Sequence, residues 1–171
     1  MIELRTQEIK KSSLLFLIRA DYKAKPFLLT NKSFVVYSGD DVTDLKELPE
    51  SVLYIPIVGL IAPLAMVLGE ELYVPTLDHD YYYALKNLAK VFKNLYPHAP
   101  INKFDIEVNV LERNHVKSSK TCILFSGGVD STFLLFKHLD KKPCLIFILG
   151  SDIPVTDVEK WKLPSKYVIY I

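Results

Sequence analysis

The sequence predicts an α/β protein in two parts, an α+β amino-terminal domain over residues 1–116 and a parallel-sheet domain over residues 117–171. Three observations predict it. Residues 122–125 make an apolar run of strand length and residues 132–139 suit a helix, with a glycine-bearing turn between them. Residues 144–149 read as a second strand buried on both faces, the mark of a parallel sheet. Ahead of both, residues 78–96 carry the clearest helical periodicity in the chain, and residues 106–110 alternate apolar with polar.

Each element has its own signal. Residues 14–18 and 34–37 are short apolar runs bounded by turn residues, so the first forty positions are β-rich. Ser38-Gly39-Asp40-Asp41 marks a turn, and residues 41–50 offer at most one short helical turn. Residues 51–57 predict a strand and residues 60–69 a short helix. Pro63 then falls in a first turn, which has no amide to lose, and Gly69 supplies a left-handed cap. Residues 72–74 predict a brief strand before Pro75. Asp78 caps the following helix and Pro97 ends it. Tyr81, Leu85, Leu88, Phe92 and Leu95 line up on that helix as one apolar stripe. The polar run from Arg113 to Lys120 marks the domain boundary. Lys142-Pro143 breaks the chain before the strand at 144–149. Residues 156–162 then read as a short helical piece and residues 166–171 as a third apolar strand.

Composition narrows the function classes. Half of the 171 residues are hydrophobic, enough for a true core, and the net charge of +1 argues for neither nucleic acid nor an acidic partner. Residues 52–68 are uncharged and apolar, but the run is short for a membrane span and Pro56, Gly59 and Pro63 interrupt it. No membrane segment is expected. The amino terminus lacks a signal peptide's basic start, so a cytoplasmic location is expected. Cys122 and Cys144, the only cysteines, each open an apolar run and are expected to be buried in a reducing compartment. If the two strands are parallel neighbours, both thiols lie at the end of the sheet away from the turn. His79, His98, His115 and His138 share no metal-ligand spacing. Lys86, Lys90 and Lys93 follow helical spacing and read as a solvated face, with tRNA phosphate as the alternative contact.

The chemistry concentrates in Ser126-Gly127-Gly128-Val129-Asp130-Ser131. A strand-to-helix turn is where backbone amides point at an incoming anion. Gly127 and Gly128 let the backbone bend tightly and approach a phosphate with no Cβ in the way. Ser126 and Ser131 can add hydroxyl donors, and Asp130 suits a metal ion or a backbone amide. There is no Gly-Lys-Ser/Thr of a Walker loop, no GxGxxG and no GxSxG elbow.

These six residues resemble the SGGxDS signature of the PP-loop, N-type ATP pyrophosphatases. A chance match of every fixed position in a chain this long is on the order of one in ten thousand. The resemblance implies a Rossmann-like sheet of the HUP type, five parallel strands in the order 3-2-1-4-5. It implies ATP as the bound nucleotide, Mg²⁺ as the accompanying ion and a small-molecule acceptor. Ser126, Gly127, Gly128, Val129, Asp130, Ser131 and Thr132 would bind the nucleotide, with Asp130 the catalytic residue and the Mg²⁺ ligand. Asp152, in the turn Gly150-Ser151-Asp152 beyond the second strand's carboxyl end, is a further candidate for adenosine, because ligands gather at that edge.

The reaction implied is attack of a carboxylate or amide oxygen on the α-phosphorus, release of pyrophosphate, and displacement of AMP by nitrogen or sulfur. The loop resembles most the 7-cyano-7-deazaguanine synthase branch, which points to queuosine-type chemistry. That branch's zinc-binding cysteines are not in this chain. Only strands 1, 2 and part or all of 3 of the implied sheet are accounted for, so the domain is expected to be incomplete: a portion of a longer enzyme, a chain that borrows a wall through homo-oligomer pairing at the sheet edge, or a remnant that keeps the loop without the catalysis. A non-catalytic adenine-nucleotide-binding or assembly module and a tRNA-modifying enzyme are the alternatives.

Overall fold

The computed structural model describes residues 1–28, 30–36, 44–115 and 121–146. The chain is a mixed α/β protein that divides into two compact units, Met1–His115 and Val116–Ile171. The turn expected at 38–41, the strand beyond Ile146, the Gly150-Ser151-Asp152 turn and the elements expected at 156–171 lie outside the described residues.

The first unit is a five-stranded sheet with helices on one face. Its strands are β1 (Ile2–Ile9), β2 (Ser13–Ala20), β3 (Lys32–Val36), β4 (Glu71–Asp78) and β5 (Asp105–Glu112), in the spatial order β3-β2-β1-β4-β5. β2 runs antiparallel to both neighbours, whereas β1, β4 and β5 run parallel. Alternation decides which side is buried. Ile2 and Leu4, Leu14, Phe16 and Ile18, Leu72 and Val74, and Ile106 face the helices. The open face carries Glu3, Arg5 and Arg19 in a small ion-pair group, and Asn109 donating to the Tyr73 hydroxyl at 2.6 Å.

Residues 51–57 are not a strand, contrary to expectation. They belong to α1 (Glu50–Leu53) and α2 (Ile55–Leu68), with Tyr54 at the junction between them. An apolar run without alternation fits a buried strand and a buried helix equally well, and here length favours the helix. Pro49 opens α1 and Pro56 sits in the first turn of α2, where its missing N–H is harmless. Pro63 is interior, not in a first turn as expected. The carbonyl it cannot bond belongs to Gly59, which is exposed. Gly69 takes the expected left-handed cap, φ 63°, its N–H reaching Ala65 and Met66. β4 runs straight through Pro75, and the ladder to β5 pairs Val74 with Val108 and Thr76 with Val110 on either side of it.

The core is a single cluster between sheet and helices, with Tyr54, Ile57, Val58, Ile61, Ala62, Ala65 and Met66 at its centre. Tyr54 carries both kinds of contact. Its ring packs on Phe16 at 5.4 Å between centroids, and its hydroxyl accepts the Thr6 amide at 2.8 Å. That amide sits where β1 slips register between Thr6 and Glu8. The slip lies beside this donor, and the tyrosine hydroxyl gives it a partner.

α3 (His79–Leu95) starts as expected, with the Asp78 carboxylate accepting the Tyr81 amide at 2.9 Å. Its buried side differs from the expected stripe. Tyr81, Leu85 and Phe92 pack on the core with Tyr82 and Ala89, but Leu88 and Leu95 face outward. The apolar periodicity is broad enough to admit two faces, and packing over β4 and β5 selects one.

The Met1 α-amino group pairs with Asp21 at 2.6 Å and with buried Glu70, which Lys23 also reaches at 3.1 Å. The amine holds the Asp21 carboxyl down at about 2, against an ordinary 3.8. Burial pushes the amine's own pKa down, and its bonds to Asp21 and Glu70 outweigh that, leaving it raised. A depressed carboxylate contributes stability above its unfolded pKa and loses it as pH falls through the folded one. Stability is therefore expected to fall between pH 3.8 and about 2. The raised amine contributes fully below its ordinary value and is lost as pH rises through its folded one. Urea melts at stepped pH test this, and Asp21→Asn should flatten the acid limb.

The described part of the second unit comprises β6 (Cys122–Leu124), α4 (Val129–Lys137) and β7 (Cys144–Ile146). β6 and β7 are parallel neighbours with Cys122 opposite Cys144. The thiols therefore lie at the amino ends of the strands, away from the turn, as expected. Both are exposed rather than buried, because each falls on the outward side of its short strand.

Candidate functional site

The turn between β6 and α4 follows Phe125, whose amide donates to the Ile146 carbonyl at 2.8 Å. Ser126, Gly127 and Gly128 follow, and the helix opens at Val129 with Gly128 as its cap. The first intrahelical bond belongs to Thr132, whose amide reaches the Gly128 carbonyl at 3.0 Å. The amides of Val129, Asp130 and Ser131 precede it, so they have no carbonyl to bond within the helix. They point out of the helix end, where its dipole also favours negative charge.

Gly127 has φ 78°, a conformation that side chains with a Cβ rarely adopt. A Cβ built there would meet nothing within 4 Å. The glycine is thus demanded by backbone angle alone, and the space above it is open. Gly128 is different, with an ordinary φ of −75°.

The two serines divide the work. Ser131 is buried and its hydroxyl donates to the Gly128 carbonyl at 3.1 Å, bracing the turn from within. Its oxygen also lies 3.4 Å from that of Ser126. Ser126 is exposed, and its Oγ accepts the Gly128 amide at a long 3.4 Å. Of the two hydroxyls, Ser126 is the one free to turn toward a ligand. Asp130 is exposed in the first helical turn, and Thr132 is half-buried beside it. A single carboxylate of this kind suits Mg²⁺, which is commonly held by one or two carboxylates together with phosphate oxygens. Among the described residues no group of three His, Cys, Asp or Glu side chains could hold a metal by itself. Asp152 lies outside the described residues.

The basic row on α3 is largely engaged. Lys86 pairs with Asp105 and stands 5.5 Å over the Tyr82 ring. Lys90 donates to Asn87 at 3.2 Å. Lys93 remains exposed.

A second polar cluster escaped the sequence reading. At the carboxyl ends of β4 and β5, the buried Ser51 hydroxyl donates to Glu112 at 2.5 Å. The Asn114 side-chain amide donates at 3.0 Å to both Ser51 and Asp78. Burial pushes the Asp78 carboxyl up, and its bonds to Tyr81 and Asn114 outweigh this, so its pKa is lowered. These groups are committed to one another, so the cluster ties α1 and α3 to the end of β5. Its members lie 61 to 63 residues apart across Ser51, a spacing with no local signature.

No helix among the described residues is long and apolar enough to cross a membrane. The chain matches no family model, no curated protein and no solved structure.

Proposed function

We propose that the turn from Ser126 to Thr132 binds the phosphates of ATP, and that the second unit belongs to a Rossmann-like PP-loop domain. The observation that carries this reading is Gly127, at φ 78° under open space, beside the unbonded amides of Val129, Asp130 and Ser131. Glycine at that angle keeps the approach to these amides clear of any side chain.

In this reading the chain's groups act electrostatically. Adenylation of a carboxylate forms a bond from its oxygen to the α-phosphorus and breaks the bond to pyrophosphate, which leaves with the electron pair. Charge grows on the leaving group, and the fixed amides of Val129, Asp130 and Ser131 are aimed where it accumulates. Ser126 donates to the same oxygens, while Ser131 keeps Gly128 in place. Asp130 would hold Mg²⁺, whose role is to neutralise phosphate charge. The acyl adenylate then loses AMP to a nitrogen or sulfur nucleophile.

Calorimetric titration tests the binding step. ATP·Mg²⁺ and pyrophosphate are expected to bind the wild-type chain, and Gly127→Val to weaken both by at least about tenfold, or ~1.4 kcal/mol. Pyrophosphate release from ATP tests the chemistry, and Asp130→Ala should abolish it. Binding that survives Asp130→Ala, with no turnover in either protein, would identify a nucleotide-binding module instead. No binding to the folded wild-type chain sinks the reading.

A further inference from the structure

The outward side of the first unit's helical layer is apolar in a pattern too regular for scattered exposure. On α2, Leu60, Pro63, Leu64 and Val67 recur at helical spacing, with Leu60 64% and Val67 43% exposed. On α3, Ala84, Leu88, Val91 and Leu95 do the same, with Val91 51% and Leu95 65% exposed. The two rows are neighbours. The Tyr81 hydroxyl fills the space above Gly59, where a Cβ would stand 2.9 Å from it, and Pro100 crowds Gly69 at the other end. The helices therefore run side by side in the same direction. The α3 row lies on the flank next to Tyr81, toward α2. Lys86 turns the opposite flank toward Asp105 on β5, and Lys90 and Lys93 follow it by spacing.

Charge and area decide what covers this face. α2 has no charged residue in its 14 positions. The two rows contribute none either. A lipid surface would call for lysines bordering the apolar stripe, and here they sit on the far flank. An uncharged face is best matched by another uncharged face. The exposed side chains amount to on the order of 500 Å² of apolar surface, the upper end of what a monomer ordinarily shows. That is also the apolar centre of an interface burying about 800 Å² per partner. Pro63 and Ala84, short side chains in the two rows, keep the layer low enough for backbones to approach.

We propose that α2 and α3 form a two-fold interface with a second copy of this chain. The same face meets itself about the axis, so each copy's rows cover the other's. The result is a four-helix layer sandwiched between two sheets. This is distinct from pairing through a sheet edge and does not depend on the nucleotide reading.

Sedimentation equilibrium of the full chain tests it. The wild type is expected to be a dimer at micromolar concentration. The double substitution Leu88→Glu, Val91→Glu places charge at the centre of the face and should raise the dissociation constant by about a hundredfold or more. Leu60→Glu on α2 should act in the same direction, while Lys93→Glu on the other flank should leave the dimer intact. All four positions are exposed, and near-ultraviolet circular dichroism checks that each variant keeps its fold. A wild-type monomer at every concentration overturns the proposal. So does a dimer that survives the charged variants, or one broken instead by Val36→Lys on the sheet-edge strand β3. Wild-type binding to anionic vesicles that is lost in the double variant would put a lipid surface there and overturn it equally.

Discussion

Tyr54→Ala is expected to lower the unfolding free energy by about 4 kcal/mol, the range for removing a fully buried aromatic side chain. Tyr54 is 1% exposed and, from the junction of α1 and α2, packs on Phe16 of the sheet. Two effects add. The lost ring leaves a cavity against Phe16, and the lost hydroxyl strands the Thr6 amide at the β1 bulge. Tyr54→Phe separates them. It keeps the ring and removes only the acceptor, so it should cost about 1–2 kcal/mol. Urea denaturation followed by far-ultraviolet circular dichroism measures both. Equal losses would mean that the ring contributes nothing; a neutral phenylalanine variant would mean that the Thr6 amide finds another partner.

Gly69→Ala is expected to cost about 3 kcal/mol, from two sources of comparable size. A left-handed backbone is strained by roughly 1–2 kcal/mol once a Cβ is present. The new Cβ would also stand 2.5 Å from the Pro100 carbonyl oxygen, a backbone atom that cannot swing away. Gly127→Ala is the internal control. It shares the positive φ but meets nothing within 4 Å, so only the strain remains and about 1 kcal/mol should be lost. A thermal or urea melt of the two variants side by side checks the difference. Similar losses at both positions would show that the Pro100 contact relaxes freely.

Legibility followed distance along the chain. The Asp78 cap, the Gly69 stop and the strand-turn-helix around Gly127 involve residues at most a few positions apart, and each is where local chemistry puts it. At the candidate site the turn and its glycine were readable, while the inward role of Ser131 was not. Its hydroxyl serves the Gly128 carbonyl because the first helical turn folds it back, and residue type alone does not reveal which serine faces out. The strand expected at 51–57 failed for a related reason: a uniformly apolar run has no alternation to report its period.

By itself, the sequence determined where the chain turns at Gly69 and Gly127 and where α3 begins. Those follow from backbone angles and from hydrogen bonds between near neighbours. Tertiary structure alone decided which side of α3 is buried, that Ser51 lies in a helix, and that Thr6 needs a tyrosine from 48 residues away. Burial is a property of what packs against a surface, and those partners meet only when the sheet and its helices close together.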